Sequence, residues 1–209
     1  GDIADLPNIV KLAKAYGARV MVDDAHAIGV LGEGGRGTAE HFGLEDQVDI
    51  ILGTYSKSLA AIGGFVVGSR VVIDCIKHTG RSMIFSASLP PALVASVTAA
   101  LDIIEQQPQL RTQLWKNTHK MLKSYKEMGY DTGVSETPVI PIIIKDSMKV
   151  YEMCKLLFEN GVFVNPVVSP AVPPGRELLR TSYMATHTEE QLDRVLDAFK
   201  KAGKQLGLI

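Results

Sequence analysis

The chain has 209 residues, 46% hydrophobic and 22% charged, with 22 basic and 23 acidic side chains and a formal net charge of −1. Those values suit one large globular domain or two small ones and exclude a disordered, collagen-like or low-complexity polymer. There is no basic excess to neutralise a phosphate backbone, so nucleic acid is not an expected partner.

In chain order, residues 6–16 carry apolar side chains at helical spacing with Pro7 in the first turn and Gly17 as a stop, which predicts an amphipathic helix. Residues 19–24 (Arg-Val-Met-Val-Asp-Asp) read as a short buried strand ending in acid, residues 29–37 as a glycine-rich loop, and residues 48–54 as a second buried strand. Residues 63–68 follow as a third strand, 70–78 as a short helix and 83–86 as a short strand. After Pro90-Pro91 come two long helices, 92–107 and 110–128, separated at Pro108. The texture then changes: strand 139–144, helix 148–160, strand 162–164, a proline-rich loop 167–174, strand 178–184, and a helix 188–205 whose Thr188 and Gln191 form a capping box. Helix alternating with buried strand in the first part predicts a mostly parallel α/β sheet. The last part predicts a small α+β domain, with the boundary in the helices between Pro108 and Gly129.

Cys75 and Cys154 form neither a disulfide framework nor a Cys-x-x-Cys pair, which fits a reducing, cytoplasmic compartment. No apolar run reaches the roughly 18 residues of a membrane span. Residues 1–7 lack the basic start and apolar stretch of a signal peptide and there is no initiator Met, so the chain reads as a piece of something longer.

Two motif matches lack the context their motifs need, and the first of them reads as a turn. Gly32-Glu-Gly-Gly-Arg-Gly37 has the spacing of a dinucleotide fingerprint, but residues 25–31 separate it from the strand it needs. Residues 53–58 end in Lys-Ser like a phosphate loop, but Ser56 stands where that motif needs Gly. The five histidines show no metal-ligand spacing, and no metal is expected.

Two other segments carry chemistry. Asp23-Asp-Ala-His26 and Thr54-Tyr-Ser-Lys57 each end a strand of an α/β sheet, where ligands bind in open sheets. Lys57 follows an apolar strand and precedes Ser-Leu-Ala-Ala-Ile-Gly-Gly, which reads as a desolvated setting where a lysine becomes a nucleophile for carbonyl compounds. A lysine and a carboxylate on adjacent strand ends are also the two levers a protein needs on pyridoxal phosphate, one for the Schiff base and one for the pyridinium nitrogen. A salt bridge between Asp23 and Lys57 is the plain structural alternative.

Residues 22–37 (Val-Asp-Asp-Ala-His-Ala-Ile-Gly-Val-Leu-Gly-Glu-Gly-Gly-Arg-Gly) and 53–64 (Gly-Thr-Tyr-Ser-Lys-Ser-Leu-Ala-Ala-Ile-Gly-Gly) resemble the α-oxoamine synthases. These are fold-type-I pyridoxal-phosphate enzymes of the class II aminotransferase-like group that condense an amino acid with an acyl-CoA and lose CO₂. The resemblance implies that Lys57 is the Schiff-base lysine and the proton shuttle at the substrate α-carbon, that Asp23 partners the pyridine nitrogen, and that His26 meets the ring 3′-oxygen. It also implies that Thr54 and Ser56 meet the phosphate, that Ser86 and Ser88 reach a neighbouring subunit's cofactor phosphate in a homodimer, and that Arg180 grips the substrate carboxylate. A guanidinium suits that last task because it binds a carboxylate through two parallel hydrogen bonds.

Residues 163–173, 184–188 and 83–88 are most similar to the bacterial serine palmitoyltransferase branch, which implies serine or glycine as amino acid and a place in sphingolipid biosynthesis. Glycine C-acetyltransferase and 8-amino-7-oxononanoate synthase are the rival branches. An aminotransferase proper and a non-catalytic partner subunit are the alternatives of other classes. The fold implied is part of a fold-type-I large domain with a mostly parallel sheet over residues 1–115, then a small α+β domain over 116–209. Members of the family are about twice this long, so the resemblance also implies that an N-terminal arm, a glycine- and serine-rich phosphate loop and a ring-stacking side chain lie outside these residues.

Overall fold

A computed structural model describes residues 1–209. The chain divides into two compact units, Ala4–Arg111 on one hand and Gly1–Ile3 with Thr112–Ile209 on the other.

The unit Ala4–Arg111 begins with helix α1 (Leu6–Ala15), capped by the Asp5 carboxylate, which accepts the Asn8 N–H at 3.4 Å. Its buried face, Leu6 and Val10, packs with Val20 and Ala39. Strand β1 (Met21–Asp23) pairs in parallel with β2 (Ile50–Thr54), Asp23 lying opposite Leu52. The chain between them, with the short helix α2 (Thr38–Phe42), is long enough for the crossover that parallel pairing requires. Strand β3 (Gly64–Gly68) returns antiparallel to β2, giving the order β1-β2-β3. Helices α3 (Arg70–Thr79), α4 (Arg81–Ile84) and α5 (Pro91–Gln106) follow, and Leu59, Ala61 and Val97 form a second small core.

Helix α6 (Pro108–Met128) runs into the other unit. There β4 (Val139–Ile143), α7 (Ser147–Glu159), β5 (Asn165–Val167), β6 (Leu178–Ser182) and α8 (Glu189–Gln205) build a sheet in the order β4-β6-β5. β4 and β5 are joined by α7 but separated by β6, which is antiparallel to both. The core is one cluster in which Met121, Tyr125, Ile140, Ile142, Leu157, Leu179 and Phe199 are sealed from solvent. Tyr125 meets Phe199 edge-on at 4.9 Å between ring centroids, and its hydroxyl shares a 2.7 Å hydrogen bond with that of Tyr183. The Thr188–Gln191 capping box starts α8 as the sequence predicts.

The expectation of a mostly parallel sheet is corrected: only β1–β2 is parallel, and the sheets are mostly antiparallel. Residues 55–63, between β2 and β3, hold no crossover helix, so the chain can only turn back on itself. The strands of this first sheet are half-exposed rather than fully buried, Met21 at 56% and Val67 at 53%. The strand expected at 83–86 is replaced by α4 and the turn after it. The strand expected at 162–164 begins three residues later: Val162 and Val164 are buried in the core, but pairing with β6 starts at Asn165.

Candidate active site

The C-terminal ends of β1 and β2 lie side by side because the strands are parallel and in register up to Asp23 and Leu52. Asp23 is exposed at the end of β1, and its Oδ1 accepts the Ala25 N–H at 3.0 Å, which fixes the carboxylate where the chain turns. His26 lies exposed in that turn.

At the end of β2, Thr54 Oγ1 donates to the Gly63 carbonyl at 3.2 Å and shares a 2.8 Å hydrogen bond with Ser56 Oγ. With its own proton directed to Gly63, Thr54 accepts from Ser56, and the two hydroxyls form a fixed pair. Lys57 follows in an exposed turn closed by the Ala60 N–H on the Lys57 carbonyl at 3.0 Å. Ala60 sits at φ 49, a left-handed conformation uncommon outside glycine. Within these residues Lys57 is not covered by its own turn. Leu59 and Ala61 take the interior positions, and Lys57 stands on the solvent side of the turn.

The two loops are joined by a contact that the sequence did not suggest. Ser58 Oγ donates to the Ile28 carbonyl at 2.7 Å, tying the residue after Lys57 to the segment just beyond His26. Gly29 permits the approach: a Cβ there would stand 2.9 Å from Ser58 Cβ, and its φ is +80. Asp24, also passed over in the sequence, is the buried member of the Asp-Asp pair at 1% exposure. Its carboxylate accepts the Thr38 N–H at 2.9 Å and the Thr38 hydroxyl at 2.5 Å, closing the loop of residues 24–38. Burial pushes the Asp24 carboxyl up from its ordinary value, against both Thr38 hydrogen bonds. The sequence signal for this split was present in the two adjacent acids, since alternation along a strand sends neighbours to opposite sides.

The glycine-rich turn binds its own anion. Glu40 accepts the Gly34 and Arg36 N–H groups at 2.9 and 2.8 Å, which agrees with the reading of Gly32–Gly37 as a turn. Ser86 and Ser88 are exposed after α4, and the Ser86 hydroxyl donates back to the Ser82 carbonyl. The structure thus brings Asp23, His26, Thr54, Ser56 and Lys57 to one end of the first sheet, with Ser86 and Ser88 elsewhere on the same unit. Arg180 belongs to the other unit, half-buried in the central strand β6. A broad open hollow of about 950 Å³, lined by Phe158, Gly161, Arg194 and Asp197 among others, contains none of these residues. No helix is long and apolar enough to cross a membrane.

A family model, aminotransferase class I and II, matches residues 1–199. The serine palmitoyltransferase of Sphingobacterium spiritivorum is 52% identical over 205 residues, covering 98% of this chain and 51% of that protein. The 8-amino-7-oxononanoate synthase of Thermoanaerobacter pseudethanolicus is 48% identical over 209 residues, covering 100% of this chain and 53% of that protein. Among solved structures, a high-resolution structure of SPT with a PLP internal aldimine superposes with a TM-score of 0.96 at 38% identity, covering 100% of this chain and 53% of that one. The chain spans about half the length of the curated relatives it matches.

Proposed function

Because the chain belongs to the aminotransferase class I and II family, we propose that it supplies the lysine half of a pyridoxal-phosphate site that joins an amino acid to an acyl-CoA with loss of CO₂, the reaction of a serine palmitoyltransferase. The observation that carries this reading is the placement of Asp23 at the end of β1 and of Lys57 just after the adjacent parallel β2, their loops latched together by Ser58 and the Ile28 carbonyl.

The side chains fit that cofactor. One carboxylate, Asp23, suits a protonated ring nitrogen; the hydroxyl pair of Thr54 and Ser56 suits a phosphate; and the exposed Lys57 amine suits an aldehyde. When bound, pyridoxal phosphate supplies an electron sink for the charge left at the substrate α-carbon. Lys57 Nζ takes the proton from that carbon and later returns it. Asp23 holds the ring nitrogen's proton by charge-assisted hydrogen bonding. His26 orients the ring from the turn after β1, and Arg180 binds the substrate carboxylate through its guanidinium fork. In this reading residues 1–115 belong to the cofactor-binding large domain and 116–209 form the small C-terminal domain, supported by the division of the chain near residue 111. A cytoplasmic homodimer, with Ser86 and Ser88 directed to the partner's phosphate, completes it; the free cysteines and the exposure of both serines support this part.

Thiol release from palmitoyl-CoA with serine, by the full-length protein, tests the reaction. Release from acetyl-CoA with glycine instead would move the assignment to the glycine C-acetyltransferase branch. The 48% identity to an 8-amino-7-oxononanoate synthase makes that reaction the second reading. Amine transfer without thiol release would return the protein to the aminotransferases. Lys57→Ala must abolish the visible absorbance of the protein-bound cofactor, and retention of that band would overturn the site.

A further inference from the structure

We propose that Asn165 is a second binding group for the polar head of an α-amino acid, acting beside Arg180; the inference rests on the reading of Arg180 as the carboxylate-binding residue. Arg180 lies in the central strand β6, directly opposite two residues, Pro141 in β4 and Asn165 in β5. Directly opposed residues share a face of the sheet, with Cβ atoms about 4.5–5.5 Å apart. Alternation decides which face. Ile140, Ile142, Leu179 and Thr181 are turned into the core at 4% exposure or less, so Pro141, Arg180 and Asn165 are turned away from it. Of the two neighbours of Arg180, Pro141 has no polar side chain. Asn165 is exposed and carries an amide with two donors and an acceptor.

The chemistry of the pair is complementary to one ligand class. A guanidinium fork engages two of the roughly four lone-pair sites of a carboxylate. An amide next to the fork can donate to a remaining site, or accept from the ammonium or a hydroxyl on the same substrate. The backbone on either side of Asn165 is held in place. Val164, just before it, is buried at 7% exposure, and its carbonyl accepts from Cys154 Sγ at 3.3 Å. Pro166, just after it, restricts Asn165 to extended conformations. A side chain on a paired strand between two fixed neighbours is more precisely aimed than one on a loop. The competing explanation, that Asn165 is a polar residue guarding an edge strand against aggregation, requires no ligand.

The test uses the full-length holoenzyme and L-serine. For Asn165→Ala the expected result is a loss of serine affinity of about ten- to a hundredfold, the range for a hydrogen bond to a charged group. This is read both as KM and as Kd by equilibrium dialysis. KM for the acyl-CoA and the melting temperature should not change. Asn165→Asp should weaken serine binding further where the amide donates to the substrate carboxylate, by repulsion, and preserve it where the amide accepts from the substrate ammonium. Arg180→Ala separates the two readings. If it lowers serine affinity and Asn165→Ala does not, the proposal for Asn165 is overturned while Arg180 stands. If neither variant changes serine affinity, both assignments fall. A loss in Asn165→Ala shared by serine, acyl-CoA and melting temperature would identify a structural residue and also overturn the proposal.

Discussion

The Asp24–Thr38 clamp makes a sharp prediction for Thr38→Val. Valine keeps the branched shape of threonine and costs little in helix propensity, so the change is confined to replacing the hydroxyl by a methyl. That hydroxyl donates at 2.5 Å to a carboxylate at 1% exposure, and only the Thr38 N–H at 2.9 Å would remain on it. Hydrogen bonds to charged groups contribute about 1.5–3 kcal/mol, so a loss of about 2 kcal/mol is expected where Asp24 is ionised. The effect has a signed pH dependence. Burial already holds the Asp24 carboxyl above its ordinary value, so its contribution to stability is greatest below that value and declines as pH rises through the folded-state pKa. Removing a hydrogen bond that favours the anion raises the folded-state pKa further. The penalty should therefore be largest near neutral pH and shrink in mild acid. Urea denaturation of wild type and variant, followed by circular dichroism on both sides of that transition, measures it. An equal penalty in acid and at neutral pH, or one below about 0.5 kcal/mol at neutral pH, would refute the argument that the hydroxyl serves a buried carboxylate.

Three further outcomes follow from the packing and hydrogen bonds of the structure. Gly53→Ala places a Cβ 2.3 Å from Phe65 Cζ, so the β2–β3 pair must part or the ring must move. A loss of about 1–3 kcal/mol is expected, partly relieved by adding Phe65→Leu, and thermal denaturation of the single and double variants reads it. Tyr125→Phe leaves the Tyr183 hydroxyl without its 2.7 Å partner and should cost about 1–2 kcal/mol by chemical denaturation; in the wild type, burial pushes the Tyr183 phenol up to about 12, so alkaline difference absorbance should show it ionising late. Asp49 accepts the Val20 N–H and is paired with Arg19, which holds its carboxyl below the ordinary value. Its stabilisation is present above that value and lost as pH falls through the folded-state pKa, so Asp49→Asn should flatten the acid limb of a stability-against-pH curve.

Much of this was legible in the residues because it depends on local chemistry. Asp23 and His26 after one apolar run, and Thr54, Ser56 and Lys57 after another, mark strand ends whatever the rest of the chain does. The capping box at Thr188 was equally plain, since its two hydrogen bonds lie within four residues. The residues are silent where a segment's state depends on a distant partner. Residues 83–86 hold apolar side chains that suit a strand, but no neighbouring strand is in place to pair with them, and the preceding turn winds into α4. Strand direction likewise depends on a distant partner. Alternating helix and strand in the first part suggests parallel pairing, but the short return at residues 55–63 reverses β3.

The sequence by itself determined the family, the identity of the reactive groups and the helix ends, because side-chain chemistry and capping are set within a few residues. Only the tertiary structure decided which of two adjacent aspartates is buried, that Ser58 latches the lysine turn to the Ile28 carbonyl, and that Asn165 stands opposite Arg180. Each of these depends on strand register or on contact between segments far apart in the chain. Register is a cooperative property of the paired strands, and no single segment encodes it.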